Sequence, residues 1–129
     1  MRAWSKTSGR RFPEFGIGVG DIGGYKLMFL PAQKKLELRK NDQVVAAGAY
    51  ESAWESGTWT TLRLRVAKAG NGWKVEGKAW PSDGMEPAKP TVSLDVTEAP
   101  QPGRASIWAA PFSGQPIRFD DLTAAPATP

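Results

Sequence analysis

The sequence predicts an all-β fold, an antiparallel β-sandwich of jelly-roll type, and three observations carry that prediction. Short segments with apolar residues at alternate positions recur at roughly eight-to-twelve-residue intervals. Turn-forming residues separate them, with Gly 14 and Pro 11 among 129 residues. No stretch of ten or more residues keeps apolar side chains at helical spacing without Gly or Pro interrupting it.

Arg2 to Lys6 reads as a short strand that ends in the polar turn Thr7 to Arg11. In the next segment Phe15, Ile17 and Val19 alternate with Gly16, Gly18 and Gly20, which leaves room on one face for a bulky side chain or a neighbouring backbone. Tyr25 to Leu30 has the pattern of a fully buried strand. Lys34 to Lys40 is half-buried, with Lys35, Glu37 and Arg39 on the expected exposed side of Leu36 and Leu38. Asn41-Asp42 turns the chain into Gln43 to Ala47, so Lys34 to Gly48 is a hairpin.

A loop from Tyr50 to Ser56 carries Trp54. After it comes the strongest signal in the chain, Thr58 to Trp80. Leu62, Leu64 and Val66 alternate with Arg63 and Arg65, while Val75, Gly77 and Ala79 alternate with Lys74, Glu76 and Lys78. Asn71-Gly72 joins the two as a hairpin, because Asn and Gly reach the positive φ values that tight turns need. Trp59 and Trp73 are expected in the core. Pro81 to Pro90 crosses to a weak strand at Thr91 to Val96, Pro100 to Gly103 is a turn, and Arg104 to Ala109 and Ile117 to Leu122 complete the set. Residues 1–122 form one sandwich domain, and the Ala, Thr and Pro residues of 123–129 read as a tail or linker.

Composition narrows function more than it identifies it. Cys and His are both absent, which removes Ser-His-Asp and Cys-His catalysis, disulfides, and the usual ligands of zinc and copper. Any metal would be a hard cation held by oxygen. The chain reads as soluble: no apolar run approaches the roughly 20 residues that span a bilayer, and the first residues lack the apolar core of a secretion signal. Of the net charge of +4, residues 1–40 contribute +6 and the remainder −2. A basic end attracts polyanions such as nucleic acid or acidic glycans, although alternating Lys, Glu and Arg also describe a solvated strand face. No helix or aromatic motif of a nucleic-acid module accompanies it.

Gly18-Val19-Gly20-Asp21-Ile22-Gly23 matches the dinucleotide-binding pattern G-x-G-x-x-G, but a strand follows where that motif needs a helix. A tight turn at Asp21 to Gly24 is the better reading. Glycosidases on β-sandwiches place paired acids two residues apart on one strand face, and no Glu-x-Asp-x-Glu run exists here. Asp120-Asp121, an acidic dipeptide, is the candidate for a structural Ca²⁺, against the plainer reading of exposed strand-end acids. Six tryptophans supply surfaces on which sugar rings stack. Trp54, Trp80 and Trp108 are the candidates, and Tyr50, Trp54 and Glu55 form the best local group because they join a stacking surface to a hydrogen-bonding acid.

Tyr25-Lys26-Leu27, Leu36-Glu37-Leu38, Gly57 through Val66, Gly77-Lys78-Ala79-Trp80-Pro81 with Glu86-Pro87, and Arg118-Phe119-Asp120-Asp121-Leu122 together resemble concanavalin A-like, laminin G-like sandwich domains of bacterial secreted proteins. The resemblance extends to domains that accompany bacterial β-propeller repeats and to keto-disaccharide hydrolase-like relatives, and covers about residues 10–122. It implies an extracytoplasmic setting and an accessory role beside another domain. It carries no catalytic residue onto this chain.

The expected function is therefore a non-catalytic accessory binding module whose partner is a carbohydrate, without nucleic-acid binding or membrane insertion. Two rivals stand beside it: a structural domain that docks on a neighbouring protein domain, and a glycoside hydrolase-like domain using carboxylates that meet only in space.

Overall fold

In the computed structural model, which describes residues 1–127, the alternating segments become ten strands and a single 3₁₀ turn, Pro31–Gln33. The strands are β1 (Arg2–Ser5), β2 (Glu14–Val19), β3 (Tyr25–Leu30), β4 (Lys35–Lys40), β5 (Gln43–Ala49), β6 (Thr58–Ala69), β7 (Gly72–Pro81), β8 (Val92–Val96), β9 (Ser106–Ala110) and β10 (Arg118–Asp120). They form two five-stranded antiparallel sheets. The first runs β10-β1-β6-β7-β8 and the second β5-β4-β3-β2-β9.

The apolar faces of the two sheets meet. Phe15, Leu27, Phe29, Leu36 and Leu38 of the second sheet are fully buried with Ala3, Leu62, Val75 and Ala79 of the first. Each large aliphatic or aromatic side chain so removed from water contributes roughly 1.5–3 kcal/mol. Phe29 joins the second sheet to the following loop: its ring lies 5.3 Å from Phe15 and 4.7 Å, edge-on, from Tyr50. No helix among the described residues is long and apolar enough to cross a membrane.

The glycine-bearing strand β2 holds Phe15 and Ile17 in the core and turns Gly16 and Gly18 outward. What fills the vacated face is Met28 and Trp108. A β-carbon at Gly16 would sit 2.1 Å from the Leu27 carbonyl oxygen and 2.5 Å from Met28 Sδ, and one at Gly18 would sit 3.1 Å from Trp108 Nε1. Both glycines thus permit close approach across the sheet.

Turn chemistry departs from expectation in one hairpin and follows it in the other. Asn41 and Asp42 both take positive φ, 52° and 61°, as a type I′ turn requires between β4 and β5. Between β6 and β7 the register pairs Ala69 with Gly72, so Gly70-Asn71 forms the turn rather than Asn71-Gly72. Gly70 carries the positive φ, 59°, at the first central position, the pattern of a type II′ turn. Lys34 is not in a strand: it closes the 3₁₀ turn in the left-handed region. The later strands also begin or end one to two residues from the expected limits, β8 at Val92, β9 at Ser106 and β10 at Arg118.

Glu37 is the other departure, because it is buried although it shares the outward face of β4 with Lys35 and Arg39. Lys35 Nζ lies 3.0 Å from one carboxylate oxygen and Arg39 Nε donates to the other at 3.0 Å. Burial acts to raise the Glu37 pKa, and the hydrogen bonds from Arg39 and Lys35 outweigh it and hold the group below its ordinary value. Residues 121–127 form no strand and lie exposed. Residues 128 and 129 of the expected tail lie outside the described residues.

Gly16→Ala is expected to destabilise the fold by about 2 kcal/mol or more, as overpacking against backbone does, read as a lower urea midpoint with unchanged slope. For Glu37 the depressed folded-state pKa means that its stabilisation is complete above the unfolded value and disappears as pH falls through the folded one. Melting temperature measured against pH is therefore expected to fall less steeply on the acid side in Glu37→Gln than in the parent.

Candidate functional site

The loop between β5 and β6 is where the sandwich opens. Tyr50 anchors its start: its N–H donates to the Lys34 carbonyl at 2.8 Å and its ring is buried against Phe29. At its end, Gly57 N–H donates to Ser5 O at 2.7 Å and Thr58 Oγ1 donates to Glu55 O at 2.6 Å. Trp54, between them, is half-buried and packs on Phe12 with ring centroids 6.0 Å apart. These ties fix both ends of a loop that would otherwise carry a free aromatic side chain.

Between this loop and the chain leaving β7 lies a cleft of about 530 Å³. Tyr50, Trp54 and Glu55, grouped from sequence, all line it. So do Arg2, Thr58, Trp59, Ser82 and Asp83. The wall is aromatic on Tyr50, Trp54 and Trp59, cationic at Arg2, and acidic at Glu55 and Asp83. Aromatic surface bordered by polar groups is suited to a ligand with one apolar face and a ring of hydroxyls.

Among the described residues, the buried polar atoms Tyr50 Oη and Trp54 Nε1, of residues that line the cleft, have no hydrogen-bond partner, and neither has Ser5 Oγ on β1. Arg2 Nε also lacks a well-aligned bond, although Asp121 Oδ2 is 3.3 Å away. A buried group left unpaired costs about 1–3 kcal/mol. Burial raises the Tyr50 pKa, so its phenol stays neutral and available as a donor beyond its ordinary range.

The register explains why Trp59 belongs to the cleft and not to the core. It is directly opposite Trp4, and Arg2 is opposite Thr61, so Trp4, Trp59, Thr61 and Arg63 share the outward face of the first sheet. Trp80, opposite Thr61, lies on that same face, half-buried beside the cleft without lining it. The period-two phase held this information: Trp59 has the parity of Arg63 and Arg65, while Leu62 and Leu64 have the other. Trp73 has the inward parity of Val75, but it stands half-buried at the start of β7, opposite Val96, and is not part of the buried core.

The structure does not bring Trp108 to this site. It stands on the outer face of the second sheet, donates from Nε1 to Ser106 Oγ at 2.8 Å, and has Lys26 Nζ 3.5 Å from its ring centroid. A lysine over the ring takes the place a stacked sugar would need on that side. Asp120 and Asp121 are both engaged by Arg2, at 2.8 Å through Nη2 and 3.3 Å through Nε. The hydrogen bond from Arg2 holds the Asp120 carboxyl below its ordinary range. Among the described residues no group of three or more His, Cys, Asp or Glu is placed to hold a metal ion.

The connection from β7 to β8 folds back over the first sheet. Arg63 and Lys78 are opposite each other in the register, and such like charges repel. Glu86 lies between them, accepting from Arg63 Nη1 at 3.1 Å and Lys78 Nζ at 3.0 Å. That contact places the Ser82 and Asp83 side of the cleft by anchoring the segment that follows.

Compared with protein-family models, curated proteins and solved structures, the chain matches none of them. The functional reading therefore rests on the cleft.

Tyr50→Phe removes an unpaired buried hydroxyl without changing the ring that packs on Phe29. It is expected to leave stability unchanged or raise it by up to about 1 kcal/mol. Chemical denaturation of the two proteins side by side measures this, and a loss of stability would show that the hydroxyl has a partner.

Proposed function

We propose that this domain is a non-catalytic carbohydrate-binding module that takes its ligand in the cleft between the β5–β6 loop and the end of β7. The observation that carries the reading is the meeting of Tyr50, Trp54 and Trp59 with Glu55, Asp83, Arg2 and Ser82 around one opening of about 530 Å³. Trp54, and the side of Trp59 that Arg2 does not occupy, supply flat apolar surface for the C–H face of a sugar ring, and Glu55 and Asp83 accept hydrogen bonds from its hydroxyls. Arg2 and Ser82 of the same lining supply donors. The resemblance to laminin G-like sandwiches agrees with an accessory role beside another domain of a longer extracytoplasmic protein.

A second reading has a specific observation in its favour. Glu55 and Asp83 line the same cleft from different loops, and two carboxylates across a sugar are the minimal apparatus of glycoside hydrolysis. We rank binding above it because both acids are exposed.

Affinity electrophoresis through gels containing soluble polysaccharides, followed by calorimetry with the polysaccharide that retards the protein, tests both readings. Trp54→Ala and Trp59→Ala are each expected to weaken binding at least about tenfold, equivalent to 1.4 kcal/mol, with Trp108→Ala binding as the parent does. Equal binding by all three variants would remove the cleft from consideration. Release of reducing ends that is lost in Glu55→Gln would move the assignment to the hydrolase.

A further inference from the structure

Cations meet at several places on the outer faces of the sheets, and a carboxylate accompanies them at most. Glu86 lies between Arg63 and Lys78. Glu37 lies between Lys35 and Arg39. Arg2 holds Asp120 and Asp121. Beside the cleft the arrangement differs. Lys6 Nζ is 5.4 Å and the Arg118 guanidinium carbon 4.7 Å from the ring centroid of Trp4, and neither cation pairs with a carboxylate among the described residues.

Three features make this a built position. Trp4 is fixed by a hydrogen bond from its Nε1 to the Gly57 carbonyl at 2.9 Å, at the foot of the cleft loop. Arg118 is directly opposite Trp4 in the β1–β10 register, which sets the guanidinium on the indole. Trp4 is in turn directly opposite Trp59, which lines the cleft, so a chain-like ligand leaving the cleft across β1 meets Trp4 next. Neighbouring strands are about 4.8 Å apart, close to one sugar ring's width, so the sugar next to one held at Trp59 lies beside the cations on Trp4.

We propose that Lys6 and Arg118, converging on Trp4, form a subsite for an anionic substituent, a carboxylate or a sulfate, on the bound sugar chain, and that the natural ligand is therefore an acidic glycan. This rests on the carbohydrate reading of the cleft and adds the class of sugar. Both cations lie at one indole with no carboxylate beside them, and an anionic substituent brought there gains charge-assisted hydrogen bonds from the guanidinium fork or the ammonium. The position also uses the basic N-terminal part of the chain.

The experiment is calorimetric titration with three probes of equal length: a galacturonic acid hexasaccharide, a heparin hexasaccharide and a neutral cello-hexasaccharide. Parent protein is expected to prefer one or both acidic probes over the neutral one by roughly five- to tenfold, as two exposed charge contacts allow, with the preference shrinking as sodium chloride is raised. Preference for galacturonate identifies the carboxylate, and preference for heparin the sulfate. The Lys6→Gln and Arg118→Gln double variant, with thermal unfolding measured as a control for folding, is expected to bring the ratio close to one. Lys6→Arg with Arg118→Lys, which keeps both charges, is expected to retain the preference.

Neutral and acidic probes bound equally by the parent, or a preference that survives in the glutamine double variant, would overturn the subsite and leave the cleft assignment standing. Absence of binding to all three probes and to the polysaccharide gels would take down both. A single-stranded oligonucleotide of matched charge that competes as well as the acidic sugar would also overturn the proposal, since the surface would then recognise charge alone.

Discussion

The structure depends on the exclusion of water between two apolar sheet faces. Leu27, Phe29, Leu36 and Leu38 lie on one side, Leu62, Val75 and Ala79 on the other, all at or near complete burial. With no disulfide to constrain the unfolded chain, this contact has to offset the backbone entropy lost on ordering ten strands. Alternation then obliges the intervening residues to face outward, where they carry the charges and four of the six tryptophans.

Outward-facing groups are therefore the second level of organisation, and a carboxylate joins the cations at two of their meetings there. The fold answers Arg63 opposite Lys78 with Glu86, folded back from the β7–β8 connection, and answers Lys35 beside Arg39 with Glu37 on the same strand. Glu37 shows what this arrangement does locally: enough cationic side chain lies over it to bury a carboxylate on a face that alternation assigns to solvent. Arg2 is shared between Trp59, 4.6 Å from its ring centroid, and the two aspartates that end β10. That one side chain connects the short terminal strand pair to the wall of the cleft.

The cleft arises because the β5–β6 loop is tied at both ends and packed on Phe29 and Phe12. Its aromatic groups come from separate parts of the chain: Tyr50 and Trp54 from the loop, Trp59 from the start of β6. Ser82 and Asp83 join from beyond β7 because β6 and β7 keep continuous register to Thr60 and Pro81. One half-site was thus local in sequence, and the other required two long strands to bring it into place.

Period-two alternation alone determined the all-β class, most strands, and the inward and outward assignment of Leu62, Leu64, Val66 and their arginine neighbours. It also held the outward phase of Trp59, which large apolar character obscured: size argues for burial, but parity with Arg63 decided the face. The local group Tyr50, Trp54 and Glu55 was legible because those residues lie within one loop. Tertiary structure alone decided that Trp108 is covered by Lys26 of its own sheet, away from the cleft, that Glu37 is buried, that Gly70-Asn71 makes the turn, and that Arg2, Trp59 and Asp83 complete the cleft. Alternation describes which side of a strand a residue occupies, whereas these outcomes depend on which strand becomes its neighbour and in what register, and pairing across tens of residues leaves no local mark in the chain.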